Sequence, residues 1–135
     1  MKIAIDDSPD VPAAGLNGMA AYNREVAGHA EPKPLNVSVR DASGAIKGGV
    51  VARSNFDTVY IDLVWLDDAL RGQRHGRAMI ELVESETRTL GAMQAGLYTL
   101  SFQARPLYES HGYGVFGEMA YMDGKHRRSF MRKDL

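Results

Sequence analysis

Hydrophobic and polar positions alternate most cleanly between Thr58 and Leu66. Val59, Ile61 and Leu63 share one parity, Tyr60 and Asp62 the other, which is the period of a strand with one face on a core. The alternation fails at Val64-Trp65-Leu66, where the apolar run continues without a polar partner. Such a break fits either burial on both faces or a bulge that shifts the phase. Upstream, Leu35, Val37 and Val39 alternate with Asn36, Ser38 and Arg40, Asp41-Ala42-Ser43-Gly44 has turn chemistry, and Ala45 to Arg53 reads as the return strand of a hairpin. Gly48-Gly49 within it allows a bulge or a close backbone approach. Downstream, Met79, Leu82, Val83 and Leu90 recur at helical spacing, predicting a helix of about four turns with Gly91 past its end.

The rest of the pattern is shorter in period. Leu97 to Phe102 predicts a strand, and Arg105 to His111 a short helix with Pro106 in its first turn and Gly112 as its stop. Tyr113 to Tyr121 and Ser129 to Leu135 predict two closing strands around an Asp123-Gly124 turn. At the other end, residues 2 to 5 alternate weakly as a strand, Pro9 and Pro12 interrupt, Ala13 to Val26 form a modest helix, and His29 to Pro34 make a connector. No repeat or low-complexity tract interrupts the 135 residues, so one domain over 1–135 is expected.

Composition narrows the chemistry. With 44% hydrophobic and 24% charged residues the chain is globular in character, and no apolar run approaches the ~18 residues of a membrane span. The acidic start, Ile5-Asp6-Asp7, does not suit a signal peptide, so a cytoplasmic location without membrane association is expected. The absence of cysteine removes disulfides, thiolate metal sites and a cysteine nucleophile together. His29, His75, His111 and His126 have no metal-ligand spacing, and no metal is expected. A net charge of −1 argues against a general nucleic-acid surface. Positive charge is nevertheless clustered, in Arg71, Arg74 and Arg77 and again in Lys125 to Lys133.

The first cluster lies where strand passes to helix. The N–H groups of a first helical turn have no partners within the helix, and the helix dipole adds positive potential there. Gly72 and Gly76 leave room for an anion to approach the backbone, and the arginines add charge-assisted hydrogen bonds. This loop reads as a phosphate or pyrophosphate site, or as a solvated connection whose arginines face water. It lacks the lysine and hydroxyl pair of a P-loop and the three glycines of a dinucleotide fold.

Val64-Trp65-Leu66 followed by Arg71-Gly72-Gln73-Arg74-His75-Gly76-Arg77-Ala78 resembles the acetyl-CoA signature of the GNAT superfamily of N-acetyltransferases. Ser101 to Tyr113, with Tyr108 before a glycine and an aromatic, is similar to the second signature of that superfamily. The resemblance spans roughly residues 35 to 135 and implies an α+β fold: a mixed, mostly antiparallel central sheet of about six to seven strands, flanked by helices, with splayed central strands. It also implies acetyl-CoA as acyl donor. The backbone of Val64, Trp65 and Leu66 would pair with the pantetheine arm, and the loop Arg71, Gly72, Gln73, Arg74, His75, Gly76, Arg77 and Ala78 would hold the pyrophosphate, with free N–H groups from Gln73 to Ala78. Arg74 stands where the family pattern has its middle glycine.

The resemblance further implies Tyr108 as general acid toward the departing thiolate. Asp62 is a second catalytic candidate, for positioning or deprotonating an amine, with Tyr60 on its face and Tyr22 and Asn23 as possible walls of an acceptor site. Since no cysteine can carry the acyl group, direct attack by a small-molecule or peptide amine in a ternary complex is expected. A homodimer through the C-terminal strand is compatible with the pattern. Two other readings share these residues: a regulatory domain that binds acyl-CoA without turnover, and a phosphate or nucleic-acid module using the two basic clusters. Base stacking would want aromatics among the cations, and only Phe130 lies within the second cluster.

Overall fold

A computed structural model of the chain describes residues 1–28 and 32–135, so His29, Ala30 and Glu31 of the expected connector lie outside the described residues. The described chain forms two compact units, Met1–Pro32 and Lys33–Leu135. The first holds helix α1 (Asp10–Ala27), ended by Gly28 in the left-handed conformation with its N–H on the Arg24 carbonyl. Residues 2 to 5 form no strand. Their weak alternation is unsupported by any pairing partner, and two adjacent acids follow it.

The second unit is a seven-stranded mixed sheet in the order β1-β3-β4-β5-β7-β6, with β2 also on β3. Its strands are β1 (Lys33–Pro34), β2 (Val37–Arg40), β3 (Ile46–Asn55), β4 (Thr58–Leu66), β5 (Gln94–Leu100), β6 (Gly114–Tyr121) and β7 (His126–Asp134). Helix α2 (His75–Thr89) connects β4 to β5, and α3 (Arg105–Ser110) connects β5 to β6. Every pairing is antiparallel except β4 with β5. Parallel neighbours need a long crossover, and α2 supplies it.

The core gathers on the sheet face carrying Val50, Ala52, Val59, Ile61, Leu97 and Met131, against Met79, Ile80 and Val83 of α2 and Tyr108 of α3. The buried stripe of α2 differs from the one its leucines suggest. Met79, Ile80, Val83, Glu84 and Thr87 are buried, whereas Leu82 and Leu90 are about half exposed. Glu84 can turn inward because Lys133 Nζ meets both of its carboxylate oxygens, at 2.9 and 2.8 Å. Thr87 satisfies its hydroxyl on the Val83 carbonyl at 2.6 Å.

Register in β4 settles the broken alternation. Val51 pairs with Leu63 but Ala52 pairs with Ile61, so Asp62 is the extra residue of a bulge. The phase flips there: Val59 and Ile61 are buried, Leu63 and Trp65 are exposed, and Val64 and Leu66 turn back onto the core. Leu63 therefore does not share the face of Val59 and Ile61.

The β2–β3 hairpin depends on a close backbone approach. A Cβ at Gly49 would lie 2.6 Å from the Val37 carbonyl oxygen, too close for any side chain without moving a strand. Gly49→Ala is expected to lower unfolding free energy by about 1–3 kcal/mol in urea titrations. Gly15→Ala, on α1 with open space around it, should leave stability unchanged or raise it by up to about 1 kcal/mol.

Candidate active site

Strands β4 and β5 pair only from Thr58 with Gln94 to Ile61 with Leu97. Beyond that point five residues of β4 and three of β5 run apart, and a cavity of about 870 Å³ fills the gap. The bulge at Asp62 sits where the strands part. On the β4 side the walls are Ile61 to Leu66, and on the β5 side Leu97, Tyr98 and Thr99. Leu97 and Thr99 are buried on the core face while Tyr98 is half exposed on the opposite one, so the cavity draws walls from both faces of the sheet.

The parting leaves one edge of β4 open. Asp67 N–H donates to the carbonyl of Lys47, near the start of β3, at 2.8 Å, and alternation along the strand turns Trp65 the same way. The N–H and C=O groups of Val64 and Leu66 consequently face the cavity, where an extended ligand can pair with them as an added strand. Trp65 contributes a half-exposed ring to the wall.

After β4, a short 3₁₀ turn (Asp68–Leu70) is capped by Asp67, whose carboxylate accepts from Ala69 N–H at 3.0 Å. The chain then reaches α2 through Arg71 in extended conformation, Gly72 at φ +75° and Arg74 at φ +66°. Gly72 takes the left-handed region without strain, while Arg74, capping α2, holds it against its Cβ at a cost of about 1–2 kcal/mol. The family glycine at this position would have removed that cost. Ala78 N–H makes the first helical bond, to the Arg74 carbonyl at 3.0 Å. Among the described residues, the six N–H groups from Gly72 to Arg77 have no acceptor. The free run thus starts one residue earlier than the sequence pattern indicates, and it excludes Ala78.

Arg71, Gly72, Arg74, His75, Gly76 and Arg77 all line the cavity, while Gln73 and Ala78 do not. Gln73 instead donates its side-chain amide to the Ala69 carbonyl at 3.2 Å, bracing the loop. Arg71 pairs with Asp68 at 3.0 Å and Arg77 with Glu81 at 2.7 Å, the latter bond holding the Glu81 carboxyl below its usual range. Arg74 has no carboxylate partner among the described residues. A run of open donors at a helix start, beside an uncompensated guanidinium, suits a diphosphate.

The far end of the cavity is built by α3. Arg105 anchors this helix to the sheet through Glu118 at 3.1 Å and Ser129 Oγ at 3.3 Å. One turn on, Tyr108 is 6% exposed and lines the cavity. Burial pushes its phenol up to about 12, so it keeps its proton throughout the neutral range. Its ring stands edge-on to Tyr113, 6.1 Å between centroids.

Asp62 also lines the cavity, but its carboxylate is held by the Arg53 guanidinium at 3.1 and 3.4 Å. Tyr60 lies outside the lining and instead carries Arg53 over its ring at 4.9 Å. Tyr22 and Asn23 belong to α1, in the other unit. Sequence reasoning passed over Tyr98, Phe102, Gln103 and Leu107, which complete the walls. Met79, expected as core filling, is both buried and a cavity wall. Among the described residues no cluster of side chains suits a metal ion.

The sequence profile of the Acetyltransferase (GNAT) family matches residues 7–113. The chain belongs to that family. An acetyltransferase of Agrobacterium fabrum, Atu2258, is 25% identical over 135 residues, 98% of either chain. A crystal structure of a candidate acetyltransferase from Agrobacterium tumefaciens superposes with a TM-score of 0.91 at 23% identity, covering 100% of both chains. The PaiA N-acetyltransferase of Thermoplasma acidophilum, solved in complex with coenzyme A, gives a TM-score of 0.63 at 13% identity, over 83% of this chain and 65% of its own. The sheet, its two helices and its parted central strands are the GNAT architecture, and acetyl-CoA is the acyl donor of this acetyltransferase family.

If the loop donors hold the diphosphate, the backbone conformation of the loop sets the affinity. Gly72→Ala would place a Cβ at φ +75°, and a loss of about five- to thirtyfold in coenzyme A affinity by titration calorimetry is expected, equivalent to about 1–2 kcal/mol.

Proposed function

We propose that the protein is an N-acetyltransferase that moves the acetyl group of acetyl-CoA to an amine by direct attack, with both substrates bound together. The observation that carries this reading is the cavity itself, which runs from the loop with open N–H groups between Gly72 and Arg77, along the unpaired edge of β4, to Tyr108. A nucleotide diphosphate, an extended amide-bearing arm and a thioester fit that sequence of surfaces in that order.

In this reading the backbone of Gly72 to Arg77 and the Arg74 guanidinium bind the diphosphate, and Val64 and Leu66 orient the arm. Fixing the arm along β4 brings the acyl carbon to one position, and such orientation is worth several kcal/mol of barrier. The bound donor supplies an activated acyl carbon and a thiolate leaving group. Tyr108 donates its phenolic proton to the departing sulfur.

An alkylamine with pKa near 10.4 costs about 4.6 kcal/mol to deprotonate at pH 7. The chain's candidate on the acceptor side is Asp62, whose carboxylate is already shared with Arg53. Its proposed role is to attract and place the ammonium, with proton removal through solvent. Asp62→Asn would then raise the acceptor KM about three- to tenfold while leaving kcat within about twofold. An unchanged KM counts against that role.

Coenzyme A binding and sequential initial-rate kinetics test the reading as a whole, and a ping-pong pattern overturns direct attack. Tyr108→Phe is expected to lower kcat by about 10²- to 10⁴-fold with little change in the acetyl-CoA KM. Because its phenol is raised to about 12, Tyr108 should produce no alkaline loss of rate below about pH 11. The stability sign follows from the same shift. The folded state holds this proton more tightly than the unfolded chain, so the contribution is whole below pH 10 and fades as pH climbs toward 12. Wild type should therefore lose more stability than Tyr108→Phe over that window in denaturant titrations.

A further inference from the structure

Strand β7 carries a run of cations, and most of them are neutralised by carboxylates. Arg127 reaches Glu118 at 3.5 Å, Arg132 pairs with Asp134, and Lys133 pairs with buried Glu84 at 2.8 Å. Arg128 has no carboxylate partner among the described residues, and its Nε is buried without a hydrogen bond. The guanidinium lies between two rings, 4.4 Å from the centroid of Tyr98 and 4.6 Å from that of Tyr121. Stacking between tyrosines holds a planar cation in one orientation, yet it satisfies none of the N–H donors. With Nε enclosed, the two η nitrogens are what a ligand can meet.

The location gives this cation a purpose. Arg128 pairs with Leu100 across β5 and β7, on the face that carries Tyr98. Tyr98 is itself a wall of the cavity between the parted strands. The diphosphate loop and α2 stand on the other, core-bearing face. Among the described strand residues of that face, Arg53 and Asp62 pair with each other beside the cavity, and Arg128, stacked on the cavity wall Tyr98, has no carboxylate partner. His126 stands edge-on to the cavity wall Phe102, 5.0 Å between ring centroids. A molecule reaching the thioester from this face meets the Arg128 cation beside aromatic rings.

We propose that Arg128 binds a carboxylate of the acceptor, so that the amines acetylated here also carry a carboxylate, as free amino acids do. The proposal rests on the amine-transfer reading above and names its acceptor class. Asp62 faces the ammonium and Arg128 the carboxylate, the charge pattern of a zwitterion. Arg128 is thus a specificity-determining residue, and the chemical step does not use it.

The test follows thiol release from acetyl-CoA with matched acceptors: an amino acid, its carboxamide, and the amine left by removing the carboxylate. The amino acid is expected to show a KM at least about tenfold below the other two. Arg128→Met should raise the amino acid's KM about ten- to hundredfold, with the carboxamide's KM, the acetyl-CoA KM and the urea midpoint unchanged. Arg128→Lys, which keeps the charge without the fork, should restore part of the preference. Equal KM for amino acid and carboxamide in the wild type overturns the carboxylate assignment and leaves amine transfer standing. A loss in Arg128→Met shared by both acceptors assigns the residue to packing and also overturns it. Coenzyme A binding with no thiol release from any of the three amines removes amine transfer and the carboxylate assignment together.

Discussion

Parallel pairing between β4 and β5 that stops after four residues is the constraint on which the rest of this molecule depends. A continuous sheet would satisfy its own backbone groups and leave nothing between the strands. Here the bulge at Asp62 changes the phase of β4 as the ladder ends, so that Val64 and Leu66 still pack on the core while their backbone faces an open gap. The strand remains anchored on its other side by eight residues' worth of register with β3, from Asn55 with Thr58 to Gly48 with Leu66. The opening is therefore rigid on the β4 side and bounded on the other by β5, which β7 holds along its whole length.

Two further devices keep the gap in shape. The loop from Asp67 to Arg74 is fixed by its own hydrogen bonds, through Asp67 to Ala69 and Gln73 to the Ala69 carbonyl, and delivers α2 with its first donors unspent. At the opposite end, the Arg105 bonds to Glu118 and Ser129 pin a six-residue helix that propensity alone would not stabilise. Glu84 and Lys133 join α2 to β7 across the core, tying the helix that starts the site to the strand that backs it.

Much of this was legible in the sequence because it is local. The turn residues, the glycines at 72, 91 and 112 and the cations at 71, 74 and 77 specify their surroundings within a few positions, and the two signatures bring Tyr108 with them. What was not legible depends on partners distant in the chain. The break at Val64-Trp65-Leu66 could be seen, but its resolution as a bulge at Asp62 is decided by β3. The helical spacing puts Leu82 on the core stripe, yet Leu82 is half exposed while Glu84 is buried against Lys133, 49 residues later. Tyr98 falls within an expected strand with nothing local to mark it, and it becomes a cavity wall because the β4–β5 pairing ends at Leu97. Arg128 vanished into a basic run whose members are individually distinguished by which acid or ring each one meets.

A gap in a sheet differs from a pit in a surface, because both faces of the sheet contribute to its rim. Walls taken from Leu97 and Thr99 on one side and Tyr98 on the other make the passage between β4 and β5 a window in a partition. In the proposed transfer, donor and acceptor can be held from opposite faces of the sheet, so that neither occupies the other's surface.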